Sequence, residues 1–281
     1  MRTIPINTIV DSVKNLCIDA TVKLPDEVSA FMGDALEREQ SPLAKSILAS
    51  CIENASIAQE KGVPLCQDTG FAVFFVELGV DARIEGGMLE DAINEGVRQG
   101  YTEGHLRKSI VSDPLFDRRN TGDNTPAAIH MALVAGDSLS ITLAPKGAGS
   151  ENMSATAMLT PAAGMDGVVD FVVDSVVKAG GNPCPPVVVG VGIGGTFEKV
   201  AYLAKKALIR TLGEAHPDSR YAELENIILK KINSSGVGPQ GLGGTVTALA
   251  VHIETMPCHI ASLPVAVNIN CHAARHARCI L

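Results

Sequence analysis

The sequence predicts an α+β protein in which a helical N-terminal layer packs on a mixed β-sheet unit. Three observations lead there. Residues 1–62 carry their apolar side chains at helical spacing. From Phe71 onward the texture turns to short β-branched runs separated by glycine turns and helical stretches. The chain has 281 residues, 46% hydrophobic but only 4% aromatic, so its core must be built from Val, Ile, Leu and Ala. That length suffices for one large core or two smaller ones.

The elements follow in order. Ile9, Val10, Val13, Leu16 and Cys17 recur with helical period. PDEVSAFMGDALERE opens with acids in its first turn, and Ser41-Pro42 caps a third helix that Gly62 closes. Cys17 and Cys51 fall on apolar helical faces and read as core thiols. FAVFFVELG is a strand, and a helix is expected around residues 87–100. AAIHMALVAGDSLSITLAPKG reads as a hairpin, two strands joined through Gly136-Asp137. MDGVVDFVVDSVVKAG is a helix with its valines on one face, and PPVVVGVGIGG is a buried strand running into a glycine turn. TFEKVAYLAKKALIRTLG and YAELENIILKKINSSG are helices; TVTALAVHIE and IASLPVAVNIN are late strands. There is no internal repeat and no low-complexity linker, so one domain over residues 1–281 is expected, with 1–62 as its helical part.

Composition excludes several classes. The formal net charge is −8 and there is no basic tract, which argues against nucleic acid and against an anionic membrane surface. No apolar run reaches the ~18 residues of a membrane span. The first 25 residues mix Asp and Lys into their apolar positions and lack the apolar core of a signal peptide, so a cytoplasmic protein is expected. Seven cysteines, an odd number without a signal peptide, argue against a disulfide framework.

Four stretches have the residues for chemistry. GVGIGG at 190–195 matches the G-x-G-x-x-G dinucleotide pattern between a strand and a helix. That pattern needs an acid at the end of a second strand ~20 residues on, where this chain has a polar, helical segment. Close helix–strand packing explains the glycines as well, and a helix N-terminus facing an anion is a third reading. KGAGSENMS at 146–154 is a glycine turn with a cation; it lacks the G-K-[ST] ending of a phosphate-binding loop. The C-terminal PCHIASLPVAVNINCHAARHARC is rich in Cys and His, but its spacing fits no clean zinc unit. Finally, Cys66 in PLCQDTG, Cys184 in NPCPPVVVG and Cys271 in NINCHAA each sit at a loop edge beside Pro, Asn or Gly. They are far apart in the chain, and spacing alone does not join them.

Taken together, CQDTG, LRKSIVSDP, NTGDNTP, KGAGSENMS, CPPVVVGVGIGGT, GPQGLGG and the closing NxNCHAxRH pattern resemble the class I fumarate hydratases, and within them the alpha subunit of the two-subunit form. L-tartrate dehydratase alpha is a near relative. It shares CQDTG and CPP-x-x-VGVGI but departs from KGAGSENMS, LRKSIVSDP and the NINCH ending, which tilts the resemblance toward fumarate. Residues before Val63 carry little of it.

The resemblance implies a four-iron four-sulfur cluster on Cys66, Cys184 and Cys271, with one iron left without a protein ligand and open to substrate. It implies reversible hydration of fumarate to L-malate. Asp68, two residues from a ligand, would be the acid–base group at the substrate oxygen, and Gln67 would hydrogen-bond the substrate. Arg107 suits a bidentate carboxylate clamp. Gly149 would offer a backbone N–H, with Lys146 beside it as a further cation, and His259 matches a substrate-contacting position. Each has a plainer reading: a turn or helix cap for Asp68, a surface ion pair for Arg107, a core or strand-end histidine for His259. Cys258 and Cys279 would be bystanders, while His272 and His276 would support Cys271 from behind. The family's carbon base, a threonine, lies in a different domain. The resemblance therefore implies a separate beta subunit that completes the site, association between alpha subunits, and loss of activity in air. The rival classes are a nicotinamide-dependent oxidoreductase resting on GVGIGG, and a non-catalytic subunit holding zinc at the C-terminal Cys/His cluster.

Overall fold

A computed structural model describes residues 2–281 and divides the chain into two compact units. The first comprises the chain up to Pro25, Ala55–Ala148 and Arg275–Leu281; the second comprises Asp26–Asn54 and Gly149–Ala274. Residues 2–62 are therefore shared between the units. They hold strand β1 (Arg2–Pro5) and helices α1 (Ile6–Val22), α2 (Asp26–Arg38) and α3 (Pro42–Lys61). Among the described residues no helix is long and apolar enough to cross a membrane.

The first unit has a four-stranded sheet ordered β10-β5-β2-β4, built from β2 (Phe71–Gly79), β4 (Ala128–Val134), β5 (Leu139–Lys146) and β10 (Ala277–Ile280). A small parallel pair joins β1 to β3 (Ala82–Glu85). Helices α1 and α4 (Leu89–Glu103) bury Ile9, Val13, Ile93 and Val97 against Phe74, Val76, Ile141 and Leu143 of the sheet. The two helices touch along their backbones: a Cβ on Gly96 would lie 2.6 Å from Val13, and one on Gly100 would lie 2.7 Å from Cys17. Cys17 is a core thiol as expected, and burial pushes its pKa far up.

The hairpin expected from AAIHMALVAGDSLSITLAPKG does not form. β2 lies between the two strands, parallel to β4 and antiparallel to β5. The end of β2 fills the place of the hairpin partner: Gly79 N donates to Ser138 O (2.8 Å), and Asp81 N donates to Gly136 O (2.9 Å). A Gly-Asp turn fixes a reversal of the chain, but not which strand occupies the gap it leaves.

The second unit has a sheet ordered β6-β9-β7-β8, from β6 (Ala155–Leu159), β7 (Val187–Gly194), β8 (Ala248–Met256) and β9 (Leu263–Asn270). β7 runs parallel to β8 and antiparallel to β9. Every residue of β7 is buried because both faces are covered. Val187, Val189, Val191 and Ile193 meet valines of α6 (Gly164–Ala179) and Ile228 and Ile232 of α8 (Ser219–Asn233). The opposite face meets α7 (Phe197–Ala207), where a Cβ on Gly190 would lie 2.1 Å from Ala204 O and one on Gly192 would lie 2.2 Å from Val200 O. Two glycines of GVGIGG thus serve the close approach of helix and strand. Gly192→Ala has no room for its methyl group and is expected to lower stability by about 3 kcal/mol, read from chemical denaturation.

A second constraint is electrostatic. Glu39, just after α2, is buried. Its carboxylate accepts Gln40 N (2.7 Å), Ser41 N (3.0 Å), Thr245 N (2.8 Å) and Val246 N (3.0 Å). Burial alone would raise its pKa; the backbone N–H donors outweigh this and hold it below the ordinary value. The folded protein therefore binds this proton more weakly than the unfolded chain does. The stabilisation is complete above about pH 4.5, the ordinary value, and is lost as pH falls below it. Glu39→Gln should cost about 2 kcal/mol near neutral pH and flatten stability against pH below 4.5, as measured by unfolding across a pH series.

Candidate active site

The CQDTG loop at 66–70 lies in the first unit and is gripped through its carbonyls. Arg275 Nη2 donates to Asp68 O (3.0 Å). Tyr101 OH lies within bonding distance of Thr69 O (3.2 Å) and Gly70 O (2.9 Å), and Asn124 Nδ2 donates to Gly70 O (3.2 Å). Tyr101, Asn124 and Arg275 are all buried. Upstream, Leu65 N donates to Thr21 O at the end of α1 (2.9 Å). None of these three side chains stands out in the sequence. Asn124 and Arg275 sit inside the NTGDNTP and NxNCHAxRH stretches, which was the only signal.

With its backbone fixed, the loop presents its side chains outward. Gln67 is exposed and its Oε1 lies 3.3 Å from the half-buried Cys66 Sγ. Asp68 is held by both oxygens: Oδ1 accepts Gly70 N (3.1 Å) and Oδ2 accepts Ala148 N (2.8 Å). The turn-cap reading of Asp68 is therefore realised, and it also orients the carboxylate. Thr69 Oγ1 donates to Arg107 O (3.1 Å), tying the exposed Arg107 to the same loop. Lys146 is buried, and its backbone packs on Gly70, where a Cβ would lie 2.8 Å from Lys146 N.

The second unit holds Cys184 and Cys271. Cys184 is exposed, has φ +55°, and precedes the cis Pro185-Pro186 peptide. His272 Nδ1 lies 3.1 Å from Cys184 O and 3.3 Å from Gln240 Nε2. Gln240 also donates to Pro185 O from its backbone N (2.8 Å) and from Nε2 (3.0 Å). His272 thus braces the Cys184 loop, and Gln240 of GPQGLGG joins it. Cys271 is half-buried at the end of β9. Cys51 corrects an expectation. It is only partly buried, and lines a cavity of about 360 Å³ with Ser50, Asn54, Gln240 and His272. Burial, then the nearby charges of Cys184 and Cys271, push its pKa up. Helical spacing marked its face as apolar and missed the thiols that the fold brings beside it.

Gly149 is exposed at the start of the second unit. Its turn is braced at Glu151, which pairs with Lys205 Nζ (2.5 Å) and accepts Asn268 Nδ2 (2.8 Å). His259 is exposed in the loop between β8 and β9, where its Nδ1 accepts Ala261 N (3.1 Å). Cys258 is exposed in that loop, and Cys279 lies half-buried on β10.

Among the described residues no three His, Cys, Asp or Glu side chains are gathered in an arrangement that could hold a metal ion. The chemistry of the donors is informative nonetheless. All seven cysteines are free, and Cys66, Cys184 and Cys271 stand at loop edges, none in a C-x-x-C pair. At the 66–70 loop, Arg275 is a buried cation whose Nε and Nη1 have no partner. Within the first unit, a loop-edge thiol and a guanidinium lacking an anion at the same loop suit an anionic, sulfur-ligated group.

Comparison with known proteins agrees in class. Residues 10–280 match the family described as Fumarate hydratase (Fumerase). A protein of Methanocaldococcus jannaschii named "Putative L(+)-tartrate dehydratase subunit alpha" is 44% identical, over 95% of this chain and 95% of its own. L(+)-tartrate dehydratase subunits alpha of Escherichia coli and Shigella sonnei are 33% and 32% identical, each over 96% of this chain and 89% of theirs. The chain belongs to the fumarate hydratase family of hydro-lyases.

The grip on the loop is open to a direct check. Asn124 Oδ1 also accepts Ser109 N (2.7 Å), so Asn124→Ala removes partners from both Gly70 and Ser109. The expected cost is about 2 kcal/mol, with faster amide hydrogen exchange at Ser109, whose N–H loses its acceptor.

Proposed function

We propose that this chain is the alpha subunit of an iron–sulfur hydro-lyase that interconverts fumarate and L-malate in the cytoplasm. The observation that carries the reading is the CQDTG loop: an immobilised backbone, a thiol at its edge, and a carboxylate two residues on with both oxygens oriented by backbone N–H groups.

Elimination of water from malate needs a base at the carbon, an acid at the departing oxygen, and positive groups for two carboxylates. Asp68 delivers the proton to the hydroxyl and recovers it in the hydration direction. Its fixed carboxylate suits that task, since proton transfer requires a set geometry. Arg107, with its backbone tied to Thr69, clamps one carboxylate through two parallel N–H donors. Gly149 N–H, Gln67 and His259 orient the rest of the substrate. Cys66, Cys184 and Cys271 would hold a four-iron four-sulfur cluster, which when bound supplies an iron without a protein ligand as Lewis acid. The base for the carbon proton comes from a separate beta subunit, in keeping with the relatives' names as alpha subunits.

A second reading has its own support. The relatives named above are tartrate dehydratase subunits, and tartrate is likewise a four-carbon diacid. LRKSIVSDP, KGAGSENMS and the NINCH ending favour fumarate.

The experiment is iron and acid-labile sulfide per chain on protein purified without oxygen, then assay with the beta subunit on fumarate and on tartrate. About four of each per chain and fumarate hydration that requires the partner are expected. Asp68→Asn should retain the iron and lose about 10²- to 10⁴-fold in kcat. Little iron and no sulfide after anaerobic reconstitution would sink the proposal, and tartrate turnover alone would select the second reading.

A further inference from the structure

Arg275 is a buried cation of the first unit with no ion pair among the described residues. It is 3% exposed. Its one hydrogen bond runs from Nη2 to the Asp68 carbonyl (3.0 Å), while Nε and Nη1 are buried without a partner. No carboxylate among the described residues lies within ion-pair distance of it. The contrast is Arg210 in the second unit, which also has an orphan Nε but ion-pairs with Glu225 and donates to Ile253 O (3.3 Å). A buried guanidinium lacking a counter-ion is costly, and folds retain one where an anion completes it. The polar groups at the loop are already engaged: Tyr101 OH lies within bonding distance of Thr69 O and Gly70 O, and both Asp68 carboxylate oxygens accept backbone N–H groups. Nothing in the loop serves the remaining donors.

We propose that Arg275 is an anion-holding residue of this site: Nη2 anchors the 66–70 loop at Asp68, and Nε and Nη1 donate to an anion seated against that loop. The anion comes from one of two sources, a sulfur of the cluster or a carboxylate of the substrate. The assignment rests on the hydro-lyase reading for these sources, but not for the need of an anion.

The test uses Arg275→Met, which keeps the volume and removes the charge, with Arg275→Lys as a second variant. In the cluster-free chain Arg275→Met loses one hydrogen bond to the Asp68 carbonyl but relieves an uncompensated buried charge. Its melting temperature is expected to fall less than that of Asn124→Ala, which removes loop contacts and relieves no charge; a fall larger than that of Asn124→Ala would overturn the proposal. In the cluster-loaded complex with its partner subunit, reduced by one electron with dithionite so that the cluster is paramagnetic, a changed electron paramagnetic resonance spectrum without substrate identifies the cluster sulfur as the anion. An unchanged spectrum with KM raised about tenfold or more, kcat little altered and partial rescue by Arg275→Lys identifies the substrate carboxylate. If both spectrum and KM are those of the parent, the proposal fails whatever the melting comparison gives. If the parent protein takes up no iron or sulfide, the hydro-lyase reading falls, and the cluster-free melting comparison decides on Arg275 by itself.

Discussion

Three buried side chains holding three consecutive carbonyls of one loop are the constraint on which the candidate site depends. Asp68, Thr69 and Gly70 give their carbonyl oxygens to Arg275, Tyr101 and Asn124. A loop whose backbone acceptors are satisfied from inside has little freedom to turn, because each released carbonyl would be left unpaired. Its side chains are therefore aimed without being packed. The roles proposed above for Asp68 and Cys66 call for such an arrangement, a fixed base with an open tip.

The second unit reaches a similar end by different means. Its sheet is covered on both faces, and β7 is valine on one side and glycine on the other. Behind the Cys184 loop stands a relay of polar contacts. Glu39 binds the backbone at Thr245 and Val246, the GPQGLGG loop precedes those residues, and its Gln240 meets Pro185 and His272. One carboxylate just after α2 thus orders a turn more than 200 residues away in sequence (206 to Thr245). The cysteine is exposed, while the Gln240 contacts that shape its loop are part-buried.

Much of this was legible beforehand. Helical spacing marked α1, and Val/Ile runs marked β7, β8 and β9, because burial on one face or on both leaves a period in the sequence. The loop-edge cysteines and Asp68 were visible as residues with chemistry but without local purpose. Three kinds of fact left no such trace. The insertion of β2 between β4 and β5 is a matter of pairing, which a Gly-Asp turn does not specify. Cys51 looked like any cysteine on an apolar face, since nothing in its own helix reports the thiols of Cys184 and Cys271. Arg275 has no mark of its own in a run of Ala, His and Arg. Its burial and its bond to Asp68 are set 207 residues apart in the chain.

Gly96 and Gly100 bring one further consequence. They let α1 lie directly on α4, and Thr21 at the end of α1 receives the N–H of Leu65, the residue before Cys66. α4 also supplies Tyr101, the next residue after Gly100. One helix contact therefore sets both the entrance and the floor of the loop. A methyl group added there would act as a wedge, transmitting its thickness along α1 to the thiol. Positions in the part of the chain least marked by the resemblance thus bear on the geometry of the 66–70 loop.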